Sequence, residues 1–148
     1  MQVSQKSLYA LRAVFELAKR KDQGPTKIAY IAEAQAIPRR FLEVILGQLK
    51  QAGFVESRRG SEAGYLLVRS PEDLTVGEVI EFIEGPVGPI ACLVEKSDIS
   101  QCPLFPQCIF KGMWEKIRDA ISNVYNSTTF SDLVKQENEQ SPPCITSQ

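Results

Sequence analysis

Apolar residues recur at spacings of three and four near the start of the chain. Leu8, Leu11, Val14, Phe15 and Ala18 make one stripe, which predicts an amphipathic helix over residues 5–20. The stretch Lys19-Arg20-Lys21-Asp22-Gln23-Gly24-Pro25 ends it with basic residues and breakers. Thr26 has the hydroxyl of an N-cap. From it a short helix runs over residues 27–34, with Ile28, Ile31 and Ala32 inward. Gln35-Ala36-Ile37 supplies a tight turn, and Pro38 sits at the first position of a new helix, where proline is tolerated. Leu42, Ile45, Leu46 and Leu49 carry that helix to about Ala52, and Gly53 stops it. Arg39, Arg40, Glu43, Gly47 and Lys50 lie off its buried stripe.

The pattern then changes. Residues 54–58 and 65–69 read as a hairpin with Arg59-Gly60-Ser61-Glu62-Ala63-Gly64 at its tip. Pro71-Glu72-Asp73 turns the chain, and Thr75 caps a helix to about Ile83, with Glu78 as its capping-box partner. Gly85-Pro86 ends that helix. Gly88, Pro89 and Pro103 leave little regular structure to expect over residues 85–109. Met113, Ile117, Ala120, Ile121 and Val124 align, with Trp114 beside them, in a helix over residues 113–126. Residues 131–136 add a turn of helix. The polar tail from about Glu137, through Pro142-Pro143-Cys144, is expected to be disordered.

Two short helices joined by a tight turn and followed by a hairpin predict a mainly α fold with a small β hairpin. The arrangement is a winged helix-turn-helix plus a long C-terminal dimerisation helix. Residues 1–84 form the expected DNA-binding domain with its following helix. Residues 85–112 form a cysteine-bearing sensor loop, 113–136 the dimerisation region and 137–148 the tail. The stripe of the C-terminal helix suits pairing with a second chain, and a homodimer suits a palindromic operator in double-stranded DNA.

Charge sharpens this reading. The 148 residues carry a net charge of −1. Residues 1–70 nevertheless hold 12 Lys and Arg against 6 Asp and Glu, whereas residues 71–148 hold 5 against 12. A basic half attracts phosphate, so the first half is expected to face DNA and the second protein or solvent. At 43% hydrophobic and 24% charged, the chain has an ordinary globular composition. No apolar run approaches a membrane span and no signal-peptide core opens the chain, so a cytoplasmic location is expected. There is no histidine. That excludes imidazole-based catalysis and zinc sites with histidine ligands. With no acid–base pair or phosphate loop visible either, an enzyme is not expected.

The candidate DNA contacts follow from position. Arg39 and Arg40 open the recognition helix, where they can meet guanine edges or phosphates, and Glu43 can accept from cytosine N4. Lys27 stands at the start of the preceding helix. Arg58-Arg59-Gly60 places cations at a hairpin end suited to a narrow minor groove. The candidate chemistry lies in Cys92-x9-Cys102-x5-Cys108. Three soft thiolates within 17 residues favour an iron–sulfur cluster, zinc or copper(I). The absence of a Cys-x-x-Cys pair disfavours a zinc ribbon. A cysteine thiol switch without a cluster, or a winged-helix interaction module with structural zinc, are the alternatives. Cys144, in the tail, is left without a role.

Several stretches together resemble the bacterial Rrf-two-type family of winged-helix transcriptional regulators. They are Tyr9-Ala10-Leu11-Arg12-Ala13, Ile31-Ala32-Glu33, Phe41-Leu42-Glu43, Leu49-Lys50-Gln51-Ala52-Gly53-Phe54-Val55, Arg59-Gly60, Gly64-Tyr65 and Thr75-Val76-Gly77-Glu78-Val79-Ile80. The resemblance covers residues 1 to about 135. It implies a homodimeric regulator, with recognition helices in adjacent major grooves and wing arginines in minor grooves. It also implies base-contact roles for Glu43 and Arg59, and ligation of a two-iron or four-iron sulfur cluster by Cys92, Cys102 and Cys108. The chain departs from the family pattern in places. The first two cysteines stand further apart than is usual. Lys111 occupies a place where some relatives have histidine, and Leu8 one where others have a carboxylate. Glu95, Asp98, Cys144 or an exogenous thiol remain candidates for a fourth ligand. Ser61-Glu62-Ala63 replaces a glycine-rich wing stretch, and Arg39 and Arg40 replace smaller polar residues, which implies a different operator.

Overall fold

The computed structural model describes residues 2–94, 102–105 and 107–140. Six helices and one hairpin occur among them: α1 (Gln5–Lys19), α2 (Ile28–Ala34), α3 (Arg39–Gln51), β1 (Val55–Arg58), β2 (Gly64–Leu67), α4 (Val76–Glu84), α5 (Lys111–Ser127) and α6 (Phe130–Gln140). No helix among the described residues is long and apolar enough to cross a membrane. The fold class read from the chain is the one observed: mainly α, with an antiparallel two-stranded wing after the helix-turn-helix.

Helix α1 is the central element and packs against α2, α3, α4 and α6. Ser4 caps it, its hydroxyl accepting from the Ser7 N–H at 3.1 Å. Its buried face differs from the predicted stripe. Ala10, Ala13, Val14, Leu17 and Ala18 are enclosed, while Leu8 is exposed and Leu11 and Phe15 are half-buried. The physical reason is crowding. Several helices converge on α1, and small alanines let their backbones approach. The bulkier Leu11 and Phe15 line a groove against α6. Glu16 is buried on the same helix. Its carboxylate accepts from Gln35 Nε2 at 2.7 Å and meets Lys19 Nζ at 3.3 Å, so the charge is paired.

The α3 stripe follows its periodicity. Leu42, Ile45, Leu46 and Leu49 are all buried, together with Ile31 from α2 and Ile37 from the turn. Each such side chain contributes about 1.5–3 kcal/mol of apolar transfer. In the turn, Ala36 takes the left-handed conformation at φ 51°. This brings the Ile37 N–H within 2.9 Å of the Ala32 carbonyl. Pro38 is the N-cap of α3 and not its first residue, so the helix starts one place later than predicted.

Thr26 does not cap α2; Lys27 occupies that position, without a side-chain capping bond. Thr26 is buried and bridges the wing instead. Its N–H donates to the Tyr65 carbonyl at 3.0 Å, and the Tyr65 N–H returns to its carbonyl at 2.8 Å. A long-range backbone pairing has outcompeted a local hydroxyl cap. The wing pairs Val55 with Leu67 and Arg58 with Gly64, so each strand starts and ends within two residues of the prediction.

Thr75 and Glu78 form the expected capping box at α4: the Glu78 N–H donates to the Thr75 hydroxyl at 3.2 Å, and the Thr75 N–H to Glu78 Oε2 at 2.9 Å. Arg69 Nη1 donates to Glu78 Oε1 at 2.6 Å. Burial works against the Glu78 anion, but the bonds from Arg69 and Thr75 outweigh it and hold the carboxyl below its ordinary pKa.

The C-terminal elements return to this core. Phe130 is fully buried and its N–H donates to the Leu74 carbonyl at 3.0 Å. Helix α6 runs eleven residues, well beyond the short turn predicted. Thr129 and Asp132 start it reciprocally, at 3.0 and 3.1 Å. Its first turns pack on α1, and Glu137 meets Lys19 at 3.2 Å. The segment expected to be disordered from Glu137 therefore begins as helix, to Gln140. Residues 141–148, with Cys144, lie outside the described residues, as do Glu95 and Asp98.

Candidate DNA-binding surface and cysteine segment

The exposed face of α3 and the tip of the wing collect the candidate DNA contacts. Arg39, Arg40 and Glu43 are all exposed on the first turns of α3. Arg39 Nε lies 3.5 Å from Glu43 Oε1, one helical turn on. Both side chains are about three-fifths exposed, so the pair adds little stability and can open to meet a partner. Arg40 lies over the ring of Phe41 at 5.2 Å, and Phe41 stands 6.3 Å from Tyr9. Lys27 is exposed at the N-cap of α2. In the wing, Arg58 pairs with Glu56 at 3.4 Å, while Arg59 and Gly60 are exposed at the tip.

The wing is tied to the helix-turn-helix in three places. The Thr26–Tyr65 bridge joins β2 to the start of α2. Lys50 Nζ, near the end of α3, donates to the Ser57 hydroxyl at 2.6 Å. Lys21 Nζ donates to the carbonyls of Leu67 and Arg69 at 2.8 and 3.2 Å. These ties hold the strands of the wing beside α2 and α3. Two lysines of the basic half are thus occupied with structure. The sequence reading gives no role to Phe41, which lies beside Arg40, to Tyr9 next to it, or to Tyr30 on α2. Arg20 stacks on Tyr30 at 4.2 Å. Phe41 and Tyr30 are exposed aromatics beside arginines, and that adjacency is the signal for them in the sequence.

The cysteines lie between α4 and α5. Cys92 is half-buried in a short turn, Ala91–Leu93; Cys102 is exposed and Cys108 half-buried just before α5. All three are free thiols. The donor set is chemically suited to a soft metal or cluster. Among the described residues, however, no three Cys, Asp, Glu or His side chains converge on one point. Lys111 meets Glu115 at 3.9 Å and stacks over Phe105 at 5.2 Å. Beyond the cysteines α5 buries none of its residues, and Met113, Ile117 and Val124 are exposed along it.

The comparisons with known proteins agree with this geometry. Residues 3–136 match the Rrf2 family, described as an iron-dependent transcriptional regulator. The transcriptional regulator CymR of Bacillus subtilis is 35% identical over 133 residues, covering 90% of this chain and 89% of the relative. The regulator IscR of Pectobacterium atrosepticum is 30% identical, covering 93% and 81%. Among solved structures, IscR of T. potens superposes with a TM-score of 0.76 at 33% identity, covering 96% of this chain and 93% of its own. These relatives are named as regulators and not as enzymes. A recognition helix bearing exposed arginines, a wing tied rigidly beside it and a match across nearly the whole length place this chain in the Rrf2 family of transcriptional regulators.

Proposed function

We propose that the protein is a homodimeric, cytoplasmic transcriptional repressor that reads a palindromic operator. In this reading the N-terminal turns of α3 enter the major groove. Arg39, Arg40 and Glu43 contact base edges or phosphates there, and Lys27 meets the backbone. Arg58, Arg59 and Gly60 enter the adjacent minor groove. The observation that carries the reading is the rigid coupling of α3 to the wing, with all seven residues exposed on those two elements and on the start of α2. The unburied apolar face of α5 supports pairing with a second copy.

Sensing is assigned to an iron–sulfur cluster on Cys92, Cys102 and Cys108. Three free thiols in one segment, and IscR among the relatives, support this. When bound, such a cluster supplies redox- and iron-sensitivity. Ligation requires the segment between α4 and α5 to close around it, as thiolate sites commonly form with their metal. The segment joins the DNA-reading body to α5, so its closure can move one against the other. A coupling of roughly 1–3 kcal/mol suffices for regulation.

The test is anaerobic purification followed by an absorption spectrum, iron and sulfide counts, and the same for Cys102→Ala. Visible absorption with iron and sulfide, lost in the variant while the fold persists, is the expected result. A colourless protein after reconstitution would overturn the cluster and turn attention to thiol oxidation. Salt-insensitive DNA affinity would overturn the DNA reading, because phosphate neutralisation releases counterions.

A further inference from the structure

A cavity of about 310 Å³ opens between α4 and α5, under the start of the cysteine segment. Pro86, Val87 and Leu93 cover it from the loop, Gly77 and Glu81 line it from α4, and α5 contributes Arg118, Ser122, Tyr125 and Asn126. At one end the helices touch closely. A Cβ on Gly77 would lie 2.0 Å from Asn126 Oδ1 and 3.2 Å from the Tyr125 carbonyl carbon. From this contact the helices leave a space of the size that holds small ligands.

The polar groups around it range from half-buried (Arg118, Ser122, Tyr125) to exposed (Glu81, Asn126). The side chains of Glu81, Ser122, Tyr125 and Asn126 make no hydrogen bond or ion pair among the described residues. Arg118 is two-thirds covered, and its Nε and one terminal nitrogen both go to a single oxygen of Asp119, at 3.0 and 2.9 Å. Its remaining N–H donors are free for a ligand. Glu81 and Arg118 line the same space from opposite helices, yet no salt bridge joins them. The cavity thus offers the Glu81 carboxylate, the edge of the Arg118 guanidinium that Asp119 leaves open, and the hydroxyl and amide groups of Ser122, Tyr125 and Asn126.

We propose that this cavity is an effector site for a small zwitterion of the α-amino-acid class, with Arg118 binding the carboxylate and Glu81 the ammonium group. Ser122, Tyr125 and Asn126 complete the polar contacts. The ligand bridges α4, which belongs to the DNA-reading body, to α5. Occupancy therefore favours one setting of the two helices, by the difference in affinity between settings. The regulatory half of the proposal rests on the reading of the chain as a DNA-binding dimer; the binding half does not.

Trp114, the sole tryptophan of the chain, stands one turn before Arg118 on α5 and reports occupancy by its fluorescence. The full-length protein is titrated with each standard L-α-amino acid at millimolar concentration, and hits are repeated by saturation-transfer NMR. The corresponding amines without a carboxylate, and the N-acetyl derivatives, serve as probes of each charge. Binding to a mixed-sequence DNA duplex is measured in parallel. The expected result is saturable binding of at least one amino acid, not matched by its amine or N-acetyl analogue. Arg118→Gln and Glu81→Gln should each weaken it by about tenfold or more, as loss of a charge-assisted bond does. Both variants should keep the wild-type melting temperature and duplex affinity. No saturable binding by any amino acid in either method, or binding undiminished in both variants, overturns the site. Failure of the wild type to bind the duplex would instead count against the DNA reading and leave the binding result standing on its own.

Discussion

Gly64→Ala tests whether the wing is held to the helix-turn-helix through its backbone. Gly64 has φ 155°, and an added Cβ would lie 2.6 Å from both the carbonyl carbon and oxygen of Thr26 and 2.9 Å from its nitrogen. All three are backbone atoms, so no side-chain rotation relieves the clash. Relief requires β2 to move away from Thr26, which breaks both bonds of the Thr26–Tyr65 bridge. Two net hydrogen bonds are worth about 2 kcal/mol. The unfavourable backbone conformation adds about 1 kcal/mol. A loss of about 3 kcal/mol lowers the melting temperature of a chain this size by roughly 10 °C. Gly60→Ala is the matched control. It has φ 92° with nothing within 4 Å of the added Cβ, so it incurs strain without a clash. Its expected loss is about 1 kcal/mol. The assay is thermal unfolding followed by circular dichroism, with duplex affinity alongside. A Gly64→Ala protein that melts no lower than Gly60→Ala would refute the argument that the backbone contact positions the wing.

Other expectations follow from the same geometry. Arg39→Ala and Arg59→Ala should each weaken operator binding by about 1–3 kcal/mol if they read bases; unchanged affinity in both by fluorescence anisotropy would remove them from the interface. Ile117→Asp with Val124→Asp should convert a dimer to a monomer in sedimentation, since both side chains are exposed on the apolar face of α5; a persisting dimer would place the interface elsewhere. Hydrogen bonds from the Ser4 hydroxyl and N–H, then from the Ser7 hydroxyl, hold the Glu84 carboxyl below its ordinary pKa of 4.5. Its contribution to stability is therefore complete above that pH and is lost as pH falls through the lower folded-state value. Wild type should lose melting temperature more steeply in acid than Glu84→Gln, and parallel curves would contradict this.

The contrast between what was legible and what was not runs along the range of the interactions. Leu42, Ile45, Leu46 and Leu49 could be read as the buried face of α3 because a helix repeats every 3.6 residues whatever it packs against. The capping box of Thr75 and Glu78 was legible for the same reason, since its bonds close within three residues. Arg39, Arg40, Glu43 and Arg59 were picked out by type and local position, and the structure places them exposed. The buried face of α1 was misread because the choice between Leu8 and Ala10 depends on which helices approach. Thr26 was misread because its partner, Tyr65, is distant in the chain. Helix α6 was cut short because its hold on the core comes from Phe130 against Leu74 and from Glu137 against Lys19. The cavity was invisible for a related reason: Glu81 and Arg118 each look like a solvated residue on its own helix. By itself the sequence determined most of the elements and the winged helix-turn-helix class, because periodicity, capping and turn chemistry act over a few residues, and its resembling stretches carried the family. The tertiary structure alone decided which face of α1 is core, how the wing is held and that Glu81 and Arg118 line one cavity, because those depend on groups that only folding brings together.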